Sequence, residues 1–380
     1  MSRSGTRAPN GMGSIRKRKD GTYEGRYTGP DGQQHSVYAK TPKACGEALR
    51  AATHSVDTGT WLEPSTLSVA QWLNTWLSDY QGHTTTRTVE VYRGLVDRYI
   101  IPVIGVVRLT ALSPIHVRKV ISEMQKKGRA VSTIRSAHGV ISAACNAAIE
   151  AKLLKANPAE GMKLPQRVKT KFHIVDREQI PAFVAAARED VNGNALIFLL
   201  LTGLRASELR ALQWCDVDLD AASMHIHQQI PCHGVPAFAP PKDNSVRTIE
   251  LTPQAVALLK QQRKAQATAR LAAGEKWEKG YLVDDLVFRS ARGHFLSESV
   301  LAKAIHATGA KIGIPELHPH DLRHSYAVAA LRSGADIKTV QSNLGHKNAA
   351  MTLDVYAAYT TDAGKVAAEK LSKYFDGAHI

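Results

Sequence analysis

Six side chains with complementary chemistry stand in four short segments that follow one another along the second half of the chain. LTGLRASELRAL (201–212) carries Arg205, PPKDNSVRTIEL (240–251) carries Lys242, HPHDLRHSYA (318–327) carries His320 and Arg323, and LGHKNAAMTLDVYAAY (344–359) carries His346 and Tyr356. Together they supply the parts of a metal-free phosphoryl-transfer site. A phosphodiester resists attack because the nucleophile meets an anion, because charge grows on the non-bridging oxygens, and because the alkoxide leaves poorly. Guanidinium groups answer the second difficulty, since they stay protonated and hold two phosphate oxygens at once. Arg205 and Arg323 are therefore assigned to grip the scissile phosphate, more tightly in the transition state than in the ground state.

The other residues admit two readings each. His320 and Arg323 are three apart, so on a helix they face the same way, and His320 can assist deprotonation of a nucleophile or orient the phosphate. Lys242 precedes Asp243-Asn244-Ser245 at a turn between the strand-like VPAFAP and VRTIEL, where a solvated lysine is ordinary and a mobile cation is also useful. The phenol of Tyr356 has a reference pKa of roughly 10, so it needs nearby cations and a base before it attacks. Tyr359 is a rival for that role. Glu208 and Asp321 are read as carboxylates that orient the arginines, and Arg247 as structural or as a contact to the phosphate backbone. The pairs His225/His227 and His318/His320 have metal-ligand types, but no third and fourth ligand accompanies them. No metal and no cofactor is expected.

In their order and local contexts these segments resemble the tyrosine recombinases, and within them the phage-type integrases, over the chain from about residue 15 to its end. The resemblance implies a site-specific DNA recombinase that cleaves and rejoins strands through a 3′-phosphotyrosine, integrating a mobile element and helping to excise it. It implies Lys242 as general acid to the leaving 5′ oxygen and His346 as a hydrogen-bond donor to the phosphate. It favours Tyr356 over Tyr359, because the family's nucleophile directly follows a TLDV-like segment. Bond energy kept in the adduct makes ATP and Mg²⁺ unnecessary. The implied partners are double-stranded DNA at core and arm sites, three further copies of the chain in a homo-tetramer on DNA, and DNA-bending and excision accessory proteins.

Composition sets the frame for these residues. The 380-residue chain has a formal net charge of +15, with 10 Lys and Arg against 6 Asp and Glu in residues 1–64, 13 against 6 in 65–165, and 26 against 22 in the remainder. An uneven basic field of this kind suits a polyanion, though a solvated surface produces one as well. No signal peptide, lipidation motif or long apolar run appears, and NALIFLLLTGL is too short to span a bilayer, so no membrane is expected. Cys45, Cys145, Cys215 and Cys232 form no CxxC pair, which predicts free thiols and a cytoplasmic protein.

The expected fold is mainly α with small β-sheets, in three domains. Residues 1–64 read as a polar, basic, disordered start followed by short strands around Asp20-Gly21 and Gly29-Pro30-Asp31-Gly32 turns and a helix from Thr41-Pro42 to about His54. By resemblance this is the arm-binding domain; the alternative is a structural cap. Residues 65–165 read as four helices. Val69, Trp72, Leu73, Trp76, Leu77 and Tyr80 form one stripe, which makes the aromatics core and not a base-stacking platform. By resemblance this is the core-binding domain, with Arg87, Arg93, Lys126, Lys127, Arg129 and Arg135 as candidate phosphate contacts. A proline- and lysine-containing linker is expected over 157–171, then a helix capped by Asp176 and Gln179. Residues 166–380 form the mixed, mostly helical catalytic domain, with a small sheet near MHIHQQ, VPAFAP and VRTIEL. Residues 363–375 read as a terminal helix that docks on its own domain or on a neighbouring copy. Two other functions use the same parts: a non-catalytic DNA-binding regulator or architectural protein, and a topoisomerase that reseals without exchanging partners.

Overall fold

The computed structural model describes residues 14–59, 61, 66–82, 84–167, 172–231, 236–280 and 282–345. Helices dominate and two small antiparallel sheets accompany them. The chain divides into two compact units, residues 1–169 and 170–380. The first twelve residues and the expected helix over 363–375 lie outside the described residues.

In the first unit, strands β1 (Ser14–Lys17), β2 (Tyr23–Thr28) and β3 (Gln34–Ala39) pair in that order, and helix α1 (Pro42–Asp57) covers one face. Thr41 caps α1 by accepting the Ala44 N–H, and Pro42 sits in the first turn, where its missing donor costs nothing. The helix lies close because Gly25 has no side chain: a Cβ there would stand 3.1 Å from Val37 Cγ2 and 3.2 Å from Cys45 Sγ. On the far face the buried carboxylate of Glu24 joins Arg16 (2.5 Å), Ser36 (2.9 Å) and Arg26 (3.2 Å).

Helices α2 (Val69–Tyr80), α3 (Thr86–Leu95), α4 (Ile101–Ile104), α5 (Pro114–Lys126) and α6 (Val131–Glu150) follow. The α2 stripe is buried as its spacing requires, and the Trp72 indole donates to the Ala144 carbonyl at 2.8 Å. Trp76, Tyr80 and Tyr92 stack beside it. Between α3 and α4 the backbone widens into a π turn over Val96–Ile100. Pro102 accounts for it, because proline has no N–H to give and crowds the carbonyl four residues back. The first half of the expected linker packs against α6: the Asn157 amide donates to Ser142 and Asn146, and His138 meets the Ala159 carbonyl at 2.8 Å.

The second unit is built on α8 (Gly193–Thr202), apolar on every side and surrounded by α7 (Ile180–Arg188), α10 (Pro253–Ala273), α11 (Glu298–Lys311) and α12 (Pro319–Arg332). The cap expected at Asp176 is half made. Gln179 accepts the Asp176 N–H at 3.1 Å, while the Asp176 carboxylate turns to Arg332 at 3.2 Å and α7 begins only at Ile180. After α8 come α9 (Ala206–Ala211) and a sheet of β4 (Val217–Asp218), β5 (Ser223–Ile226) and β6 (Arg247–Glu250), and α13 (Ile337–Leu344) closes the described part. Among the described residues of VPAFAP, 236–240, no strand joins this sheet; β4 takes the place beside β5, and those residues keep one bridge, Ala239 to Gln229. Pro236 and Pro240 remove two donors that a ladder would need. Among the described residues no helix is long and apolar enough to cross a membrane.

Candidate active site

Two glycines in the left-handed region mark where the site is assembled. Gly203 (φ 65°) stops α8 and Gly345 (φ 62°) stops α13. Neither tolerates a Cβ in its present surroundings: at 203 it would fall 2.4 Å from the Tyr326 ring and at 345 it would lie 3.0 Å from Ser245. The free carbonyls at these two helix ends accept from arginines. Arg323 donates to the Gly203 carbonyl at 2.8 Å and to the Leu344 carbonyl, and Arg205 donates to the Gly345 carbonyl at 3.0 Å.

Arg205 immediately precedes α9, and Glu208 in the first turn accepts the Arg205 backbone N–H at 3.0 Å and its guanidinium at 2.6 Å. Glu208 is buried and shared with Arg247, whose two terminal nitrogens reach its oxygens at 3.2 and 2.8 Å. Burial would raise the Glu208 pKa, but the hydrogen bond and charge of Arg247, then Arg205, outweigh it and hold the carboxyl below its ordinary value. Glu208 thus orients an arginine, as its position suggested. Asp321 does not. Its oxygens accept backbone N–H groups of His318 (2.8 Å) and His173 (3.3 Å), so it caps α12 and ties down the chain that leads into this unit. A carboxylate three residues into a helix is drawn to the orphan donors of the first turn, which here win over Arg323.

Arg323 is 1% exposed, and among the described residues it pairs with no carboxylate. Burial first, and then the charge of Arg205, disfavour its protonated form. Among the described residues its Nε has no hydrogen-bond partner. His320, one turn before Arg323 on α12, is held below the usual histidine pKa by burial and by Arg323 and Arg205, with Asp321 acting in the opposite sense. This favours its uncharged form, an imidazole able to accept a proton. His324 stands edge-on to its ring at a centroid distance of 4.6 Å, and Phe172 covers His324 at 4.4 Å.

Lys242 opens a single 3₁₀ turn, Lys242–Asn244, and is exposed, yet its charge is felt at His320. Arg205, Arg323, His320 and Lys242 are thereby brought to one region; His346 and Tyr356 lie outside the described residues, directly beyond Gly345 in sequence. The histidine pairs serve elsewhere: His227 meets Asp216 at 2.9 Å, His225 meets Thr248 at 3.3 Å, and His318 meets the Glu316 carbonyl. Of the candidate phosphate contacts on the helical part of the first unit, Arg87 pairs with Glu90, Arg93 with Asn74, Lys126 with Glu123 and Arg135 with the Pro165 carbonyl, while Arg129 lies over the Tyr99 ring.

Residues 173–362 match the Phage integrase family and residues 68–125 match the Phage integrase N-terminal SAM-like domain. The chain is 26% identical to the integrase of Mycobacterium phage L5 over 384 residues, covering 96% of this chain and 98% of that protein. It is 24% identical to a tyrosine recombinase XerC-like protein of Caldanaerobacter subterraneus subsp. tengcongensis over 366 residues, covering 89% and 91%. In fold it is similar to the Tn1549 transposon integrase solved in complex with a circular intermediate DNA, with a TM-score of 0.68, 20% identity, and coverage of 80% of this chain and 99% of that one.

Proposed function

This chain belongs to the phage integrase family and is a site-specific DNA recombinase of the integrase type, and from that premise we propose how its own residues carry the reaction. Arg205 and Arg323 hold the scissile phosphate of duplex DNA, and His346 adds a donor. Tyr356 attacks the phosphorus, giving its phenolic proton to neutral His320, and the P–O bond to the 5′ oxygen breaks as Lys242 Nζ protonates that oxygen. The products are a 3′-phosphotyrosine and a free 5′-hydroxyl. Attack by the 5′-hydroxyl of another strand reverses each step, so neither nucleotide nor metal is consumed. The observation that carries this reading is the convergence of two guanidiniums, one of them buried and among the described residues paired with no carboxylate, on the carbonyls of Gly203, Leu344 and Gly345.

Exchange between two duplexes breaks four strands, and each break uses one tyrosine, so the working assembly is a homo-tetramer on DNA. The first unit supplies the remaining hold on the duplex: residues 1–64 act on arm sites and 65–165 on the core site, ahead of the catalytic domain at 166–380. DNA-bending and excision proteins assist in the cytoplasm, where the integrated element resides.

The test is incubation of the purified protein, with chelator and no nucleotide, with DNA carrying its own gene and flanks. A denaturation-resistant adduct that protease removes, and that Tyr356→Phe abolishes without weakening DNA binding, is expected. An adduct that persists in Tyr356→Phe moves the nucleophile to Tyr359. Tight binding with no adduct in the wild-type protein overturns the catalytic reading in favour of a regulator.

A further inference from the structure

Arg247 occupies a position that strand alternation reserves for an apolar residue. Arg247 and Ile249 point inward on β6 while Thr248 and Glu250 point out. A buried cation is costly unless it is paired, and Arg247 is 8% exposed. Pairing with Glu208 offsets that cost but does not explain the choice, because Arg205 already neutralises the same carboxylate at 2.6 Å. The rest of the guanidinium accounts for it. Nε donates to the Asn343 carbonyl at 2.7 Å, at the end of α13, and Nη1 donates to the Ser245 carbonyl at 3.2 Å, in the turn that Lys242 opens.

One planar group therefore touches three pieces of chain: the start of α9 through Glu208, the turn after Lys242 through Ser245, and the last turn of α13 through Asn343. A second, independent feature brings the same pieces together. A Cβ at Gly345 would lie 3.0 Å from Ser245 and 3.1 Å from Arg247 Nη1, so the turn and the helix end approach as closely as glycine alone permits. The Ser245 hydroxyl also donates to the Lys242 carbonyl at 3.0 Å, which closes the turn on itself.

We propose that Arg247 is a positioning residue that locks the Lys242 turn against the end of α13, so that Lys242 and the Gly345 end of that helix are placed by one rigid group. This rests on the proposed function above, in that Lys242 acts on the DNA. Arginine is required for its fork: a lysine at 247 can keep the charge opposite Glu208 but cannot bond Asn343, Ser245 and both carboxylate oxygens together.

The experiment is a double-mutant cycle on single-turnover strand cleavage, using the full chain with Arg247→Lys, Lys242→Ala and the pair. Arg247→Lys alone is expected to slow cleavage by about tenfold or more, and to add less than about twofold when Lys242 is already alanine. Fully multiplicative losses, or no loss in Arg247→Lys, overturn the proposal. Gly345→Ala, which forces Ser245 away without touching Arg247's charge, is expected to show the same non-additivity with Lys242→Ala and replaces Arg247→Lys should that variant fail to fold. DNA with sulfur in place of the bridging 5′ oxygen separates the two layers of inference. Rescue of Lys242→Ala by sulfur supports Lys242 as general acid, whereas non-additivity without rescue retains the Arg247 lock and removes the general-acid role.

Discussion

Arginine meets two opposite environments in this molecule. On the helical part of the first unit, Arg87 has a side chain 54% exposed and lies 3.5 Å from Glu90, while Arg93 reaches Asn74. In the second unit the Arg247 side chain is 5% exposed and Arg323 is buried, and every contact they make is to a group fixed by the fold. The exposed residues keep their rotamer freedom and can exchange a weak local partner for a phosphate at little cost. Their buried counterparts have lost that freedom during folding, so a phosphate that reaches them meets charges already aimed. One side-chain type thus provides adjustable affinity in one place and preorganisation in the other.

If that contrast holds, rate and affinity separate between the two units. The largest effect belongs to Arg323→Lys: single-turnover cleavage is expected to fall by about 10³-fold, because an ammonium cannot hold two carbonyls and a phosphate at once. DNA affinity measured by fluorescence anisotropy should change by less than about threefold. An equal loss of binding would erase the distinction.

Next comes Glu208→Gln, which leaves buried Arg247 and half-buried Arg205 without their shared anion and should lower stability in urea by about 3 kcal/mol. The sign with pH follows from the depressed folded pKa of Glu208. Its contribution is complete above the unfolded value, roughly 4.3, and disappears as pH falls through the lower folded value, so the acid limb of the wild-type stability curve should be shallower in the glutamine variant.

The smallest effects sharpen the other side. Arg93→Ala and Lys126→Ala should each reduce the slope of log affinity against log salt by about one at most, with stability unchanged within about 0.5 kcal/mol and the cleavage rate of bound DNA unaltered.

The legible signals were local ones. A helical stripe predicted the buried face of α2, and the HxxR spacing placed His320 and Arg323 on one helix. Long-range pairing was not legible. Nothing near Arg247 announces a partner 39 residues earlier at Glu208, although an arginine at an inward strand position was a usable clue. Asp321 was misread because a carboxylate early in a helix serves the backbone or an arginine equally well on paper, and the unpaired N–H groups of α12 and of the segment leading into the unit decided it. The strand expected at VPAFAP failed on its prolines, and the π turn at Val96–Ile100 was hidden in an otherwise regular apolar pattern until Pro102 is weighed. Lys242 remained readable as an ordinary turn residue, since its exposure is ordinary and only its electrical influence on His320 marks it.

The crowding of Arg205 and Arg323 also bears on heat. Arg323 is buried and Arg205 half-buried, Glu208 is shared by Arg205 and Arg247, and the charge of Arg205 works against the protonated form of Arg323. On the proposed function, a duplex phosphate held by both arginines would offset that repulsion, and part of the energy of recognition would return as resistance to unfolding. The proposed clamp therefore predicts a protein that melts more easily while idle than while bound, and makes the melting temperature of this unit a gauge of whether a phosphate is seated between the arginines.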